Sequence, residues 1–153
     1  MADGFHDKLY RLIDEFVHMA YKLTRKFPKE ELFGSSMQLR KAAMSIMLNY
    51  QEGYARRKPL VKINFYEISF GSCKESRYVI DFGFKEDWIT KEEFFAAMGI
   101  SKQIASMLWK TIEGIEKDHD ECAEIGEAFH FSGRVSQYTM HVTRLIGSKT
   151  CLM

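Results

Sequence analysis

Proline is almost missing from this chain: only Pro28 and Pro59 occur in 153 residues. A sequence so poor in the residue that lacks a backbone donor can run in long unbroken helices. No apolar stretch approaches the ~20 residues of a membrane span, and the N-terminus, MADGFHDKLYRL, has no apolar core of signal-peptide type. Cysteine is scarce and odd in number. Cys73, Cys122 and Cys151 share no metal-type spacing, and without a secretory signal they read as reduced thiols. These absences lead to the expectation of one soluble, cytoplasmic protein with no membrane partner. An excess of charge is lacking too. Net charge is +1, which argues against a chain that is basic throughout. The distribution is uneven, however. Residues 1–83 hold 14 Lys+Arg against 10 Asp+Glu, a net +4, and residues 84–153 hold 8 against 11, a net −3. Such a split matters if assembly sets the basic parts side by side.

Apolar residues are plentiful, at 46%, and they recur at helical spacing. Phe5, Leu9, Leu12, Phe16, Ala20, Leu23 and Phe27 form one stripe, with Lys8, Arg11, Asp14 and Glu15 mostly off it. Pro28 ends this helix, because proline disfavours helical geometry in the residue before it. KEELFG is then a short turn. Ser35 with Gln38 fits a capping box that starts a second helix, with Leu39, Ala42, Ala43, Ile46 and Tyr50 inward and Gly53 as its stop signal. Pro59 suits the first turn of a third helix, running to about Phe82 before Gly83. Val61, Ile63, Phe65, Tyr66, Ile68, Phe70, Val79 and Ile80 cover more than one of its faces, so it is either a subunit interface or the most central helix. Thr90 and Glu93 make a second capping box, opening a fourth helix through Phe94, Ile104, Leu108 and Ile115, with a bend or break near Gly99. EKDHDECAEIGE, residues 116–127, reads as a solvated helix end or a linker. A weak apolar pattern allows a short helix from Val135 to Ile146. The expected fold is all-α: an up-down-up-down antiparallel four-helix bundle over 1–118, with an acidic linker and weakly ordered or short-helical extension over 119–153.

Chemistry-bearing residues are dispersed. His6, His18, His119, His130 and His141 are scattered, and Glu15 and His18, at a spacing of three, read as a surface pair and not as half of a di-metal site. No metal or cofactor is expected, and no catalytic residue is assigned. Cys73, in FGSCKES, reads as a packing residue; as a nucleophile it would need exposure and help from Lys74 or Arg77. The end of the second helix is richer. Asn49, Glu52 and Gly53 lie at steps of three and four, followed by Arg56. A half-buried Asn49 needs partners, and Glu75 on the third helix is placed to supply one or to bridge to Arg40. Asn49, Glu52 and Glu75 are therefore either polar contacts that fix helix register or parts of a ligand site. Arg56, Arg57 and Lys58, joined to Arg40, Lys41 and Lys62, form a candidate phosphate-binding patch.

Two stretches, FPKEELFGSSMQLRKAAMSIMLNYQEGYARR and FYEISFGSCKES, resemble the four-helix-bundle proteins encoded within intervening sequences of bacterial 23S ribosomal RNA genes. The likeness rests on Phe27, Pro28, Glu31, Gln38, Leu39, Arg40, Ala42, Ser45, Ile46, Asn49, Glu52, Gly53, Gly71, Ser72 and Glu75. It spans about residues 5 to 118. The chain departs from the pattern at Met47, where proline is common, at Lys41 for arginine, and at YQEG for IAEG. The resemblance implies a ring-like homo-oligomer, a pentamer in several members, with no known enzymatic activity. It also implies a fold similar to the accessory proteins of diversity-generating retroelements, which look like basic barrels that bind RNA and a reverse transcriptase. The leading expectation is a non-catalytic oligomer that binds structured RNA or an RNA-processing protein. Alternatives are a purely structural protein-interaction module, and an enzyme centred on Cys73 or Asn49–Glu52.

Overall fold

The computed structural model describes residues 4–131, in which four helices follow one another with short connections. They are α1 (Phe5–Leu23), α2 (Ser35–Ala55), α3 (Pro59–Lys85) and α4 (Lys91–Phe131), with a 3-10 turn at Lys29–Leu32 between the first two. No strand occurs among the described residues. The chain divides into two compact units, residues 1–116 and 117–153, and the antiparallel up-down-up-down bundle belongs to the first. Its core is built from Leu9, Ile13 and Phe16 of α1, Leu39 and Ile46 of α2, Cys73 and Ile80 of α3, and Ile104 and Leu108 of α4, all fully buried.

Several boundaries differ from the expected ones, each for a local reason. α1 stops at Leu23 instead of Phe27. Thr24 is buried, donates its hydroxyl to the Tyr21 carbonyl at 3.0 Å and accepts Arg40 Nε at 2.8 Å, so the chain turns there and carries Phe27 back into the core. The Ser35–Gln38 capping box does not form. Ser35 is already helical, and its N–H donates to Glu31 Oε2 at 2.9 Å, so a carboxylate from the preceding turn satisfies the exposed donor. Gln38 reaches across to Glu75. Gly53 and Gly83, expected as stop signals, lie inside α2 and α3, where buried rings approach them. α3 ends at Lys85, and just beyond it the left-handed φ of 58° at Asp87 lets Trp88 N–H close on the Gly83 carbonyl at 2.9 Å. α4 passes through Gly99 without a break, and of the two expectations for 116–127, helix end or linker, the structure has helix, so the helix runs past the expected boundary at 118. The expected Val135–Ile146 helix lies outside the described residues.

The capping box at α4 forms in both directions: Thr90 N–H donates to Glu93 Oε2 at 3.0 Å, and Glu93 N–H to Thr90 Oγ1 at 3.3 Å. Lys26 Nζ lies 2.6 Å from the other Glu93 oxygen, tying the α1–α2 connection to α4. That lysine hydrogen bond, with the Thr90 backbone, holds the Glu93 carboxyl below its ordinary pKa. A lowered folded-state value means that the stabilisation is present above the ordinary carboxylate pKa and is lost as pH falls through the lowered one. Thr90→Ala should cost about 1 kcal/mol in urea unfolding. Glu93→Gln should remove part of the stability lost on acidification.

α2 and α3 meet along a seam of small residues. Ser69 Oγ donates to the Ile46 carbonyl at 2.8 Å, Ser45 and Ser72 hydroxyls are 2.8 Å apart, and Ser76 Oγ bonds the Ser72 carbonyl at 2.9 Å. Each buried hydroxyl is thus satisfied, and the small side chains let the helices approach closely. This is how α3 can be central while leaving Leu60, Val61, Ile68 and Tyr78 exposed.

Candidate nucleic-acid interface

The polar end of α2 resolves into two layers. Asn49 faces α3 but finds its partners nearby: its amide donates to the Ser45 carbonyl at 2.8 Å and to Ser45 Oγ at 3.0 Å, and Ser45 in turn meets Ser72. Glu75 neither contacts Asn49 nor bridges to Arg40, because Gln38 occupies it. Glu52 pairs with Arg56 one turn along the same helix. These contacts fix α2 against α3 through serines, of which Ser45 and Ser72 enter the sequence analysis only as carriers of the resemblance; the spacing of three and four at Ser69, Ser72 and Ser76 is the signal that marks the seam.

Beneath them lies an aromatic cluster that joins α1, α2 and α3. The Tyr50 hydroxyl sits 2.5 Å from His6 Nδ1, His6 stacks on Tyr54 with centroids 3.8 Å apart, and Tyr50 packs on Tyr66 at 5.8 Å. Burial raises both buried phenols, Tyr66 to about 12 and Tyr50 further, so they stay neutral hydrogen-bonding groups.

The six candidate phosphate contacts are not one patch. Arg56, Arg57 and Lys58 sit exposed at the elbow between α2 and α3, with half-buried Lys62 one turn into α3. Arg56 is braced by Glu52 and lies 5.3 Å over the Phe65 ring. Arg57 and Lys58 enter no ion pair among the described residues. Arg40 and Lys41 stand 16 residues earlier, about 24 Å along the helix at ~1.5 Å per residue. There Arg40 is held by Thr24 and lies 5.4 Å over Tyr21, while Lys41 is exposed.

Cys73 is fully buried, donates to the Ser101 carbonyl at 3.4 Å, and is pushed up to about 11 by burial despite Arg77 and Lys74 nearby. That is a packing thiol, not a nucleophile. Mapped by peptide mass, Cys73 should resist alkylation in the native protein and react once unfolded. His18 forms an exposed pair with Asp14, and Glu15 is exposed. Among the described residues no group of three or more His, Cys, Asp or Glu could hold a metal, and no helix is long and apolar enough to cross a membrane.

With this geometry in place, comparison with known proteins identifies the core. A structure from Bacteroides thetaiotaomicron, described as a protein with unknown function from the S23 ribosomal protein family, superposes with a TM-score of 0.63 at 21% identity. The match covers 68% of this chain and 97% of the other, and at that identity it establishes the fold alone. No curated protein matches the chain. The family model of the 23S rRNA-intervening sequence protein matches residues 7–110, which hold the α2–α3 seam, the aromatic cluster apart from His6, and every candidate cation. The chain belongs to the 23S rRNA-intervening sequence protein family.

Proposed function

We propose that this protein is a non-catalytic, self-assembling helical bundle that holds structured RNA as an accessory factor. The observation that carries this reading is the α2–α3 elbow, where Arg57 and Lys58 project without ion-pair partners among the described residues, beside the braced Arg56. Cations displayed in this way suit phosphates, which make sequence-independent contacts that add up across a surface.

Apolar exposure supports the assembly. The Ser45–Ser72 contact sets the α2–α3 register so that Leu48, 57% exposed, stands nearly level with Ile68, 43% exposed, and exposed Val61 lies two turns further along α3. Covering these residues with further copies in a closed ring, of the pentameric kind, brings the elbows of neighbouring subunits together. Each copy then adds its own phosphate contacts, which offsets the near-neutral total charge. Burial of Cys73 supports the non-catalytic part of the reading.

The same exposed residues support a second reading, a protein-interaction module that binds no nucleic acid. RNA retention by the Arg57→Glu/Lys58→Glu double variant separates the two. Wild-type affinity should fall steeply with salt, and the double variant should lose about tenfold or more with a shallower salt slope. Unchanged RNA binding in the variant rejects the elbow. Absence of RNA binding in the wild type, with a protein partner co-purifying instead, selects the second reading.

A further inference from the structure

A second feature lies at the other end of α2, away from the elbow. Tyr21 of α1, Leu32 and Phe33 of the turn, and Met37 and Met44 of α2 line an open groove of about 460 Å³. Its cationic edge is Arg40 and Lys41, and among the described residues no carboxylate lines it. The carboxylate that could oppose them, Glu31, is turned to the Ser35 N–H at the start of α2. Arg40 is fixed by its bond to Thr24 and lies 5.4 Å over the Tyr21 ring, so its planar guanidinium lines the groove as a held group instead of a loose surface charge. Phe33 stands at the mouth, 80% exposed, its ring uncovered.

We infer that this groove holds an unpaired nucleotide of the bound RNA, with the base against Phe33 and the apolar floor and the phosphate at Lys41 and Arg40. The inference rests on the RNA reading above and specifies the kind of RNA. Three observations favour a nucleotide over a protein segment. The groove is compact, within the roughly 300–1,000 Å³ of ligand-sized sites. It joins ring and guanidinium faces, on which any base can stack, to cations on a single edge where a phosphate would lie. It sits about 24 Å from the elbow along α2, far enough for one RNA to meet the elbow through its backbone and the groove through an unpaired base. Duplex RNA keeps its bases stacked inside and cannot use the groove.

The test uses the full chain with two labelled probes, a short single-stranded RNA and a blunt RNA duplex of equal length. Phe33→Ala and Lys41→Glu alter exposed side chains and leave the core intact. Phe33→Ala should weaken the single strand by about tenfold, with its salt slope and the duplex affinity unchanged. Lys41→Glu should weaken the single strand and lower its salt slope by about 1. If single-strand binding is the same in Phe33→Ala while Arg57→Glu/Lys58→Glu still loses RNA, the groove inference fails and the RNA reading stands. If neither probe binds the wild type, both fail. If Phe33→Ala leaves RNA untouched but dissociates the assembly or a bound protein, the groove is a protein contact and the inference is overturned.

Discussion

Replacing Gly53 by valine should destabilise the protein by about 1–3 kcal/mol, whereas replacing Gly71 by alanine should stabilise it by up to about 1 kcal/mol. Both glycines lie inside helices, and by helix propensity alone both replacements would be favourable. Their surroundings decide the sign. A Cβ on Gly53 would lie 2.7 and 2.8 Å from carbons of the Tyr66 ring and 3.2 Å from Phe65 Cβ. Tyr66 is buried and braced by Tyr50, and Phe65 Cβ moves only with the α3 backbone. The strain must therefore push α2 and α3 apart, along the seam where Ser45 meets Ser72 and Ser69 meets Ile46. A Cβ on Gly71 meets nothing within 4 Å. Urea unfolding of the pair, with unchanged m, reads both signs directly.

Phe16→Ala should cost about 3–5 kcal/mol, a large share of the roughly 5–15 kcal/mol that holds a domain folded. Phe16 is fully buried in the core, and removal of its ring leaves a cavity that the surrounding helices fill only in part. Phe5→Ala should change stability by no more than about 0.5 kcal/mol, because Phe5 is half exposed at the first turn of α1. The two phenylalanines occupy the same periodic stripe in the sequence, so the contrast tests the packing and not the pattern.

Periodicity made the four helices and their antiparallel order legible, because long helices need continuous apolar stripes and this chain has little proline to interrupt them. It misassigned the glycines. Gly53 and Gly83 look like stops by composition, yet they are places where the rings of Tyr66 and Phe27 come close, which depends on a neighbouring helix and not on local preference. One capping box formed and the other did not. At Thr90 the expected partners are the nearest polar groups, whereas at Ser35 the turn delivers Glu31 first.

The candidate site was legible in its residues but not in its layout. Arg40 and Arg56 look neighbourly in a composition count, but a straight helix holds them about 24 Å apart. Charge suggests Glu75 as the Asn49 partner, whereas the structure uses the carbonyl and hydroxyl of Ser45, a residue small enough to permit the close α2–α3 contact. The groove was invisible because Tyr21, Phe33 and Met44 come from three separate elements.

The central claim is that copies of this chain gather around RNA. Native mass measurement of the purified full-length protein, with its ratio of absorbance at nucleic-acid and protein wavelengths, tests it most directly. The account predicts a discrete multiple of 17.9 kDa that carries polynucleotide and releases it as salt is raised. A species of 17.9 kDa at all concentrations, without bound nucleic acid, would contradict it.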